Sequence, residues 1–360
     1  MISIVVPTYN ERENIGELVR RLSDSMRGLE YEVVIVDDNS PDGTWKAAME
    51  LSSRYPVRVV RRVGERGLAS AVVRGFREAR GDVIVVMDAD LQHPPEDVPR
   101  LIAALEEADV AVASRYASGG GVEGWSLARR VISWGATLLA RLLLPRAKCV
   151  KDPVSGFFAV RRSAIEGVEL SPVGYKILLE VLVKGRYRRV AEVPYVFRCR
   201  QRGESKLSSR EVFKYVKHLL KLMKWSGELE RALKFAVVGC TGIAVNEGLL
   251  YILRGCLGLK LAAAGLLAVE ASVLNNFTWN DIWTFRDQRP GSLAARCLKY
   301  HAAVALGAGV NVAALLALTA LGLHYLLSNL AGIALGFLAN YMVSRHWVWQ
   351  QSLEQRRGLW

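Results

Sequence analysis

The chain has no G-x-G-x-x-G in its first strand-to-helix turn, which reads "PTYNEREN", and no G-x-x-x-x-G-K-[ST] loop. Nicotinamide-type and P-loop cradles are therefore disfavoured, and any phosphate must be managed by metal and cationic side chains. Cysteine is sparse: Cys149, Cys199, Cys240, Cys256 and Cys297 lie far apart, with no C-x-x-C pair and no zinc spacing. They read as unpaired, reduced thiols. Acids are outnumbered, leaving a net charge of +13. The bases are not interleaved with aromatics as a nucleic-acid platform, so no nucleic-acid partner is expected. Phosphorylated ligands and an anionic membrane surface suit the excess better. Met1 leads directly into a strand without a cleavable leader, so the N-terminal part is expected to stay in the cytoplasm.

What the chain has in abundance is apolar residues: 51% are hydrophobic and the mean hydropathy is +0.16. At 360 residues two domains are the prior, and the apolar excess is uneven. The N-terminal part alternates short apolar strands with charged helices, whereas the part after Phe235 is a series of long apolar runs.

In the first part, "ISIVVPTYNE", "YEVVIVDDNSPDGT", "VRVVRR", "GDVIVVMDAD" and "DVAVAS" read as strands. The segments between them carry apolar residues at helical spacing, such as Ile15, Leu18, Val19 and Leu22. Apolar strands alternating with helices predict an α/β, Rossmann-like, mostly parallel sheet covered on both faces, with its ligand site at the carboxyl ends of the strands. Those ends carry Tyr9, Glu11, Asp37, Asp38, Asp88, Asp90 and Arg115. If strand geometry persists through "MDADLQ", Asp88, Asp90 and Gln92 project to one side. Two carboxylates and an amide oxygen are hard ligands suited to Mg²⁺ or Mn²⁺, completed by substrate phosphates. The alternative is a solvated turn ahead of the helix that Pro94 and Pro95 begin.

"VVPTYNERENI", "VIVDDNSPDGT", "MDADLQHPPE", "ASRY" and "DPVSGFFAVRR", in this order, resemble the inverting, metal-dependent nucleotide-sugar glycosyltransferases of the GT-A fold. More closely, the chain resembles dolichyl-phosphate mannose synthases fused to a GtrA-like membrane domain. The resemblance implies that Pro7, Tyr9 and Glu11 contact the nucleotide and that Val36 and Asp38 contact the nucleoside. It places Asp88, Ala89, Asp90 and Gln92 at the metal and diphosphate, with Asp88, Asp90 and Gln92 as metal ligands. It sets Arg115 near the reacting phosphates and makes Lys176, Arg200 and Lys206 later cationic contacts. Asp37 reads equally as a turn former, Arg200 as a surface base, and Asp152 and Ser155 as a turn.

The implied reaction moves mannose from GDP-mannose to dolichyl phosphate by direct displacement. A phosphate monoester is largely dianionic at neutral pH and needs no base. The site then needs cations for the acceptor, and Arg115 and Arg129 are the candidates, with Ser133 as a hydrogen-bond donor. Asp90 completes the candidate catalytic set through the metal. Rival readings are a UDP-glucose-dependent polyprenyl-phosphate glucosyltransferase, and a lipid-sugar flippase or membrane adaptor with an inactive nucleotide-binding domain.

Four runs, 235–253, 261–281, 299–321 and 325–347, are long enough to span a bilayer. Arg231, Lys234, Arg286, Arg289, Arg296, Lys299, Arg345, Arg356 and Arg357 gather at one side, which predicts cytoplasmic termini. "KFAVVGCTGIAVN" aligns with "KYHAAVALGAGVN", and "NFTWNDIWTF" with "NYMVSRHWVW", suggesting two hairpin repeats at about 234–285 and 299–349. Asn246, Asn276, Asn311 and Asn340 are expected to bond between helices. The expected organisation is a glycosyltransferase domain at 1–207, an amphipathic interfacial helix at 208–230, and a four-helix membrane domain at 231–350. In the middle segment Phe213, Val216, Leu220 and Met223 share one face, a membrane-surface signature that 126–148 also carries; a soluble core helix is the alternative for 126–148.

Overall fold

The computed structural model describes residues 1–198 and 209–350, so Arg200 and Lys206 lie outside the described residues. Two compact units divide the chain, Met1–Ser226 and Gly227–Trp360.

The first unit is built on β1 (Ile2–Thr8), β2 (Tyr31–Asp37), β3 (Val57–Arg61), β4 (Val83–Val86), β5 (Val110–Ser114), β7 (Phe158–Arg161) and β8 (Val190–Pro194), in the order β3-β2-β1-β4-β7-β5-β8. All pairings are parallel except those of β7, which is antiparallel to both β4 and β5. A separate small pair joins β6 (Gly121–Val122) to β9 (Val196–Phe197). All seven residues of β1 are buried, as a doubly covered strand requires. On one face, Ile4, Val6 and Ile35 meet Ile15, Leu18 and Leu22 of α1 (Arg12–Ser25) and Val98 and Leu101 of α4 (Val98–Ala104), which follows α2 (Thr44–Leu51) and α3 (Leu68–Glu78). On the other, Val5, Val34 and Val36 meet Val72 and Phe76 of α3 and Leu178 and Val181 of α6 (Ile177–Lys184), which follows α5 (Leu127–Leu143).

The fourth strand is shorter than its sequence suggests. It ends at Val86, although Met87 still donates its amide to the Val5 carbonyl at 3.2 Å. The next donor, the Asp88 N–H, turns to His93 Nδ1 at 3.0 Å, and Leu91 takes a left-handed φ of 61°. Asp88, Asp90 and Gln92 therefore follow a turn, and the expectation of one strand face is corrected.

The stretch expected as an interfacial linker also divides. Helix α7 (Ser209–Trp225) belongs to the first unit. Its Tyr215 Oη donates to the Ala136 carbonyl at 2.6 Å, and its buried His218 Nε2 lies 3.2 Å from Glu180 Oε1. Met223 is buried against the unit, whereas Phe213, Val216 and Leu220 are exposed. Helix α5 likewise buries Thr137 and Ala140 and exposes Leu127, Val131, Ile132 and Trp134.

The second unit holds four helices long and apolar enough to cross a membrane, spanning Glu228–Cys256, Leu261–Thr284, Leu293–Ala320 and Tyr325–Val348. Their α-helical parts are α8 (Glu228–Leu250), α9 (Leu261–Trp279), α10 (Leu293–Ala320) and α11 (Tyr325–Val343). The second and fourth spans finish in matching π-helical turns, Asn280–Thr284 and Ser344–Val348. Between α8 and α9 the hydrogen bonds come from Ser272 Oγ to the Gly242 carbonyl (2.8 Å) and from Asn275 Nδ2 to Thr241 Oγ1 (3.1 Å). The expectation for the four asparagines needs correcting in part. Asn340 shares a side-chain hydrogen bond with Tyr300 of α10, as expected, whereas Asn246 bonds to its neighbour Glu247, and Asn276 and Asn311 press against Gly242 and Gly332 of the paired helix. Small residues allow this close approach, so packing accompanies the hydrogen bonding that was expected.

Gly307 and Gly336 bring the two backbones of α10 and α11 together. A Cβ on Gly336 would lie 2.7 Å from the Gly307 carbonyl oxygen, a backbone atom that cannot rotate away. Gly336→Ala should destabilise the α10–α11 pair by about 1–3 kcal/mol, read as a lower melting temperature in detergent. Gly309→Ala, where nothing lies within 4 Å, is the control expected to melt like wild type. Equal melting of both variants would contradict this packing.

Candidate active site

The turn after β4 gathers the acids. Asp88 and Asp90 are half-buried and Gln92 is buried, and the Gln92 N–H donates to Asp90 Oδ1 at 3.1 Å. Gln92 Nε2 donates to the Arg198 carbonyl at 3.0 Å, and this leaves its amide oxygen to serve as a ligand. A Cβ on Gly156 would lie 3.5 Å from Asp88 Oδ2 and 3.3 Å from His93 Cε1, so a side chain there would crowd the carboxylate. Among the described residues no three His, Cys, Asp or Glu side chains form a metal-holding group. Two carboxylates and an amide oxygen nevertheless fit a hard divalent cation that relies on substrate phosphates for its remaining ligands.

His93 is the buried post under this turn. Its ring stacks on Phe157 at 5.1 Å and meets Tyr195 and Phe197 edge-on. Burial, outweighing the nearby Asp90 carboxylate, pulls its pKa down to about 4, so the ring is neutral and can accept the Asp88 N–H at Nδ1.

The same aromatic cluster leads to the arginines. Arg115 sits at the end of β5, and Asp152 grips it with Oδ2 to Nε at 2.7 Å and Oδ1 to Nη2 at 2.8 Å. Burial works against the guanidinium charge, but the Asp152 carboxylate outweighs it and raises the pKa. Asp152 is thus the counter-charge of a site residue rather than a simple turn. Arg129, in the first turn of α5, stands 4.4 Å from the centre of the Trp125 ring. Tyr116 Oη donates to Ser133 Oγ at 3.0 Å, leaving the Ser133 proton free for a ligand.

Lys176 donates from Nζ to the Val154 carbonyl at 2.8 Å. Burial, then the Arg115 charge, pulls its pKa down to about 8, while Asp152 and Asp88 pull the other way. These electrostatic partners bring Lys176, Arg115, Asp152 and Asp88 into one neighbourhood.

The first two strand ends hold together differently. Pro7 and Ala89 are buried, Tyr9 and Glu11 are half-buried, and the exposed Arg66 lies 4.9 Å over the Tyr9 ring. Val36 is fully buried in the core, so its backbone is what remains to meet a nucleoside. The Asp38 carboxylate pairs with buried Arg62 and accepts the Gly67 N–H at 2.8 Å. Asp37 forms the turn, accepting the Ser40 N–H at 2.8 Å and the Thr8 hydroxyl at 2.9 Å. Sequence reasoning missed His93, Trp125 and Arg62. Their only signal is proximity to motif residues.

Residues 3–168 match Glycosyl transferase family 2, and residues 234–349 match the GtrA/DPMS transmembrane domain. A dolichol-phosphate mannosyltransferase of Pyrococcus furiosus is 54% identical, covering 97% of this chain and 99% of its own length. A dolichol-phosphate mannosyltransferase of Saccharomyces cerevisiae is 42% identical over 61% of this chain and 86% of its own. The crystal structure of glucosyl-3-phosphoglycerate synthase from Mycobacterium tuberculosis with Mn²⁺ and UDP aligns at a TM-score of 0.48 and 23% identity, over 63% of this chain and 80% of that one.

Proposed function

The chain belongs to the dolichol-phosphate mannosyltransferase family, and from that premise we propose that this membrane glycosyltransferase moves mannose from GDP-mannose to dolichyl phosphate with inversion. The observation that carries the reading is the adjacency of two kinds of group. The half-buried acids Asp88 and Asp90 share a neighbourhood with an arginine pair, Arg115 and Arg129. Acids suit a metal-bound donor diphosphate, and arginines suit an acceptor that is itself a phosphate.

Asp88, Asp90 and Gln92 would hold Mg²⁺ or Mn²⁺, whose chemistry is to neutralise charge on the departing diphosphate. Lys176 adds positive charge to the same neighbourhood, as do Arg200 and Lys206 by resemblance. Asp152 keeps the Arg115 fork aimed, and Ser133 offers its proton to an acceptor oxygen. Tyr9, Glu11 and Asp38, with the backbone of Pro7, Val36 and Ala89, would frame the nucleotide.

The exposed apolar side chains of α5 and α7, among them Trp134 and Phe213, suit the headgroup layer where the acceptor phosphate resides. The basic end of the four-helix unit supports cytoplasmic termini and a cytoplasmic catalytic unit. Arg254 and Lys260 lie at the opposite end but are fewer, and Arg254 is tied to the Leu259 carbonyl at 3.1 Å.

The direct test is transfer of radiolabelled sugar to dolichyl phosphate by purified full-length protein, offering GDP-mannose and UDP-glucose in parallel. Faster turnover of UDP-glucose would replace the donor assignment with the glucosyltransferase reading.

Lys176 makes the reaction pH-sensitive. Its free-enzyme pKa of about 8 means the positive charge is full at lower pH and is lost as pH rises through 8. The ratio kcat/KM, which reports free-enzyme groups, should fall on that alkaline side. Lys176→Arg should extend the plateau upward, since arginine keeps its charge. An unchanged alkaline limb in the arginine variant would remove Lys176 from substrate binding.

A further inference from the structure

Trp125 lies in the loop between β6 and α5, and both arginines face its ring. The Arg115 guanidinium carbon is 5.3 Å and that of Arg129 is 4.4 Å from the ring, whose edge meets Phe197 at 5.4 Å and 71°. Two like charges held against one ring repel, and the ring quadrupole lowers that cost by attracting each cation. The indole Nε1 is buried and, among the described residues, has no hydrogen-bond acceptor. A buried donor left without an acceptor carries a desolvation cost and calls for an explanation.

We propose that Trp125 is part of the acceptor-phosphate site: its ring holds Arg115 and Arg129 apart, and its indole N–H donates to a phosphate oxygen of the incoming prenyl phosphate. Asp152 occupies Nε and Nη2 of Arg115, so the phosphate meets the remaining edge of that fork, the Arg129 guanidinium and the indole donor. An acceptor alcohol brings no anion to these cations, which gives the site its selectivity for a charged headgroup. This inference rests on the mannosyl-transfer reading for its turnover assay but not for its binding assay.

The test uses full-length protein in nanodiscs with ¹⁵N-labelled tryptophan. The Trp125 indole resonance is identified by its loss in Trp125→Phe. A short-chain prenyl phosphate should shift it downfield, and the matching prenyl alcohol should not. In turnover, Trp125→Phe keeps the ring and should raise the acceptor KM about tenfold, the size of one lost hydrogen bond to a charged group, with donor Kd unchanged. Trp125→Leu also removes the spacer and should lose more. A resonance that ignores the prenyl phosphate while wild type turns it over would overturn the inference and leave the function standing. A shifted resonance with no sugar transfer to any polyprenyl phosphate would support the phosphate site and sink the transfer reading. Equal loss of donor affinity in both variants would make Trp125 merely structural and overturn the inference.

Discussion

Asp152→Ala should be the most damaging single substitution in the catalytic unit, lowering its stability by about 3–5 kcal/mol, because it strands a buried charge. The Asp152 side chain is 0% exposed and holds Arg115 by two arms, and its Oδ2 also accepts the Arg115 N–H at 3.1 Å. The aromatic rings around Arg115 cannot replace a carboxylate, since each cation–π contact is worth about 0.5–2 kcal/mol. Calorimetry on the full chain should resolve the catalytic unit's transition and show it falling. Pairing Asp152→Asn with Arg115→Gln removes both charges and should recover much of the stability while leaving transfer abolished. That split distinguishes a folding role from a chemical one. Wild-type melting in the alanine variant would mean that the pair carries no folding role.

Asp90→Ala should give the second large effect, here on chemistry rather than folding. Losing one group that stabilises transition-state charge costs about 10²–10³ in kcat, and transfer should fall by at least that much. Asp90 is half-buried on a turn, so the fold should survive. Binding adds a second readout: GDP with Mn²⁺ should raise the melting temperature of wild type through linkage, and the variant should lose the manganese-dependent part. Persistence of that manganese-dependent shift in Asp90→Ala would place the ion on other ligands.

The architecture was legible where period and length decide the outcome. Apolar runs such as "VVIV" and "VIVVM" announce buried parallel strands, and four long apolar runs announce the membrane unit. Direction within the sheet was less visible. "GFFAVRR" reads as one more buried strand, and nothing in its own residues says that it runs antiparallel between β4 and β5. The acid motif was found by its chemistry, yet its geometry was misjudged, because the ladder stops when His93 captures the Asp88 amide. Asp152, His93 and Trp125 stayed obscure for a common reason. Each acts on a partner through tertiary packing, and a lone residue's pattern does not encode the partner. Helix α7 shows the same limit: Phe213 and Val216 fit the surface reading, whereas His218 and Leu219 are fixed inward by the fold.

The placement of β7 has a consequence for synthesis. The strands that lead into Tyr9, Asp38 and Asp90 leave the ribosome early, but the Arg115 anchor comes 37 positions after it, and the Gln92 amide is clasped by a carbonyl 106 positions downstream. A nascent chain stalled before Arg198 holds every acid of the motif and still lacks its closure. Competence therefore arrives late and all at once, after the exit tunnel has released the last edge of the sheet.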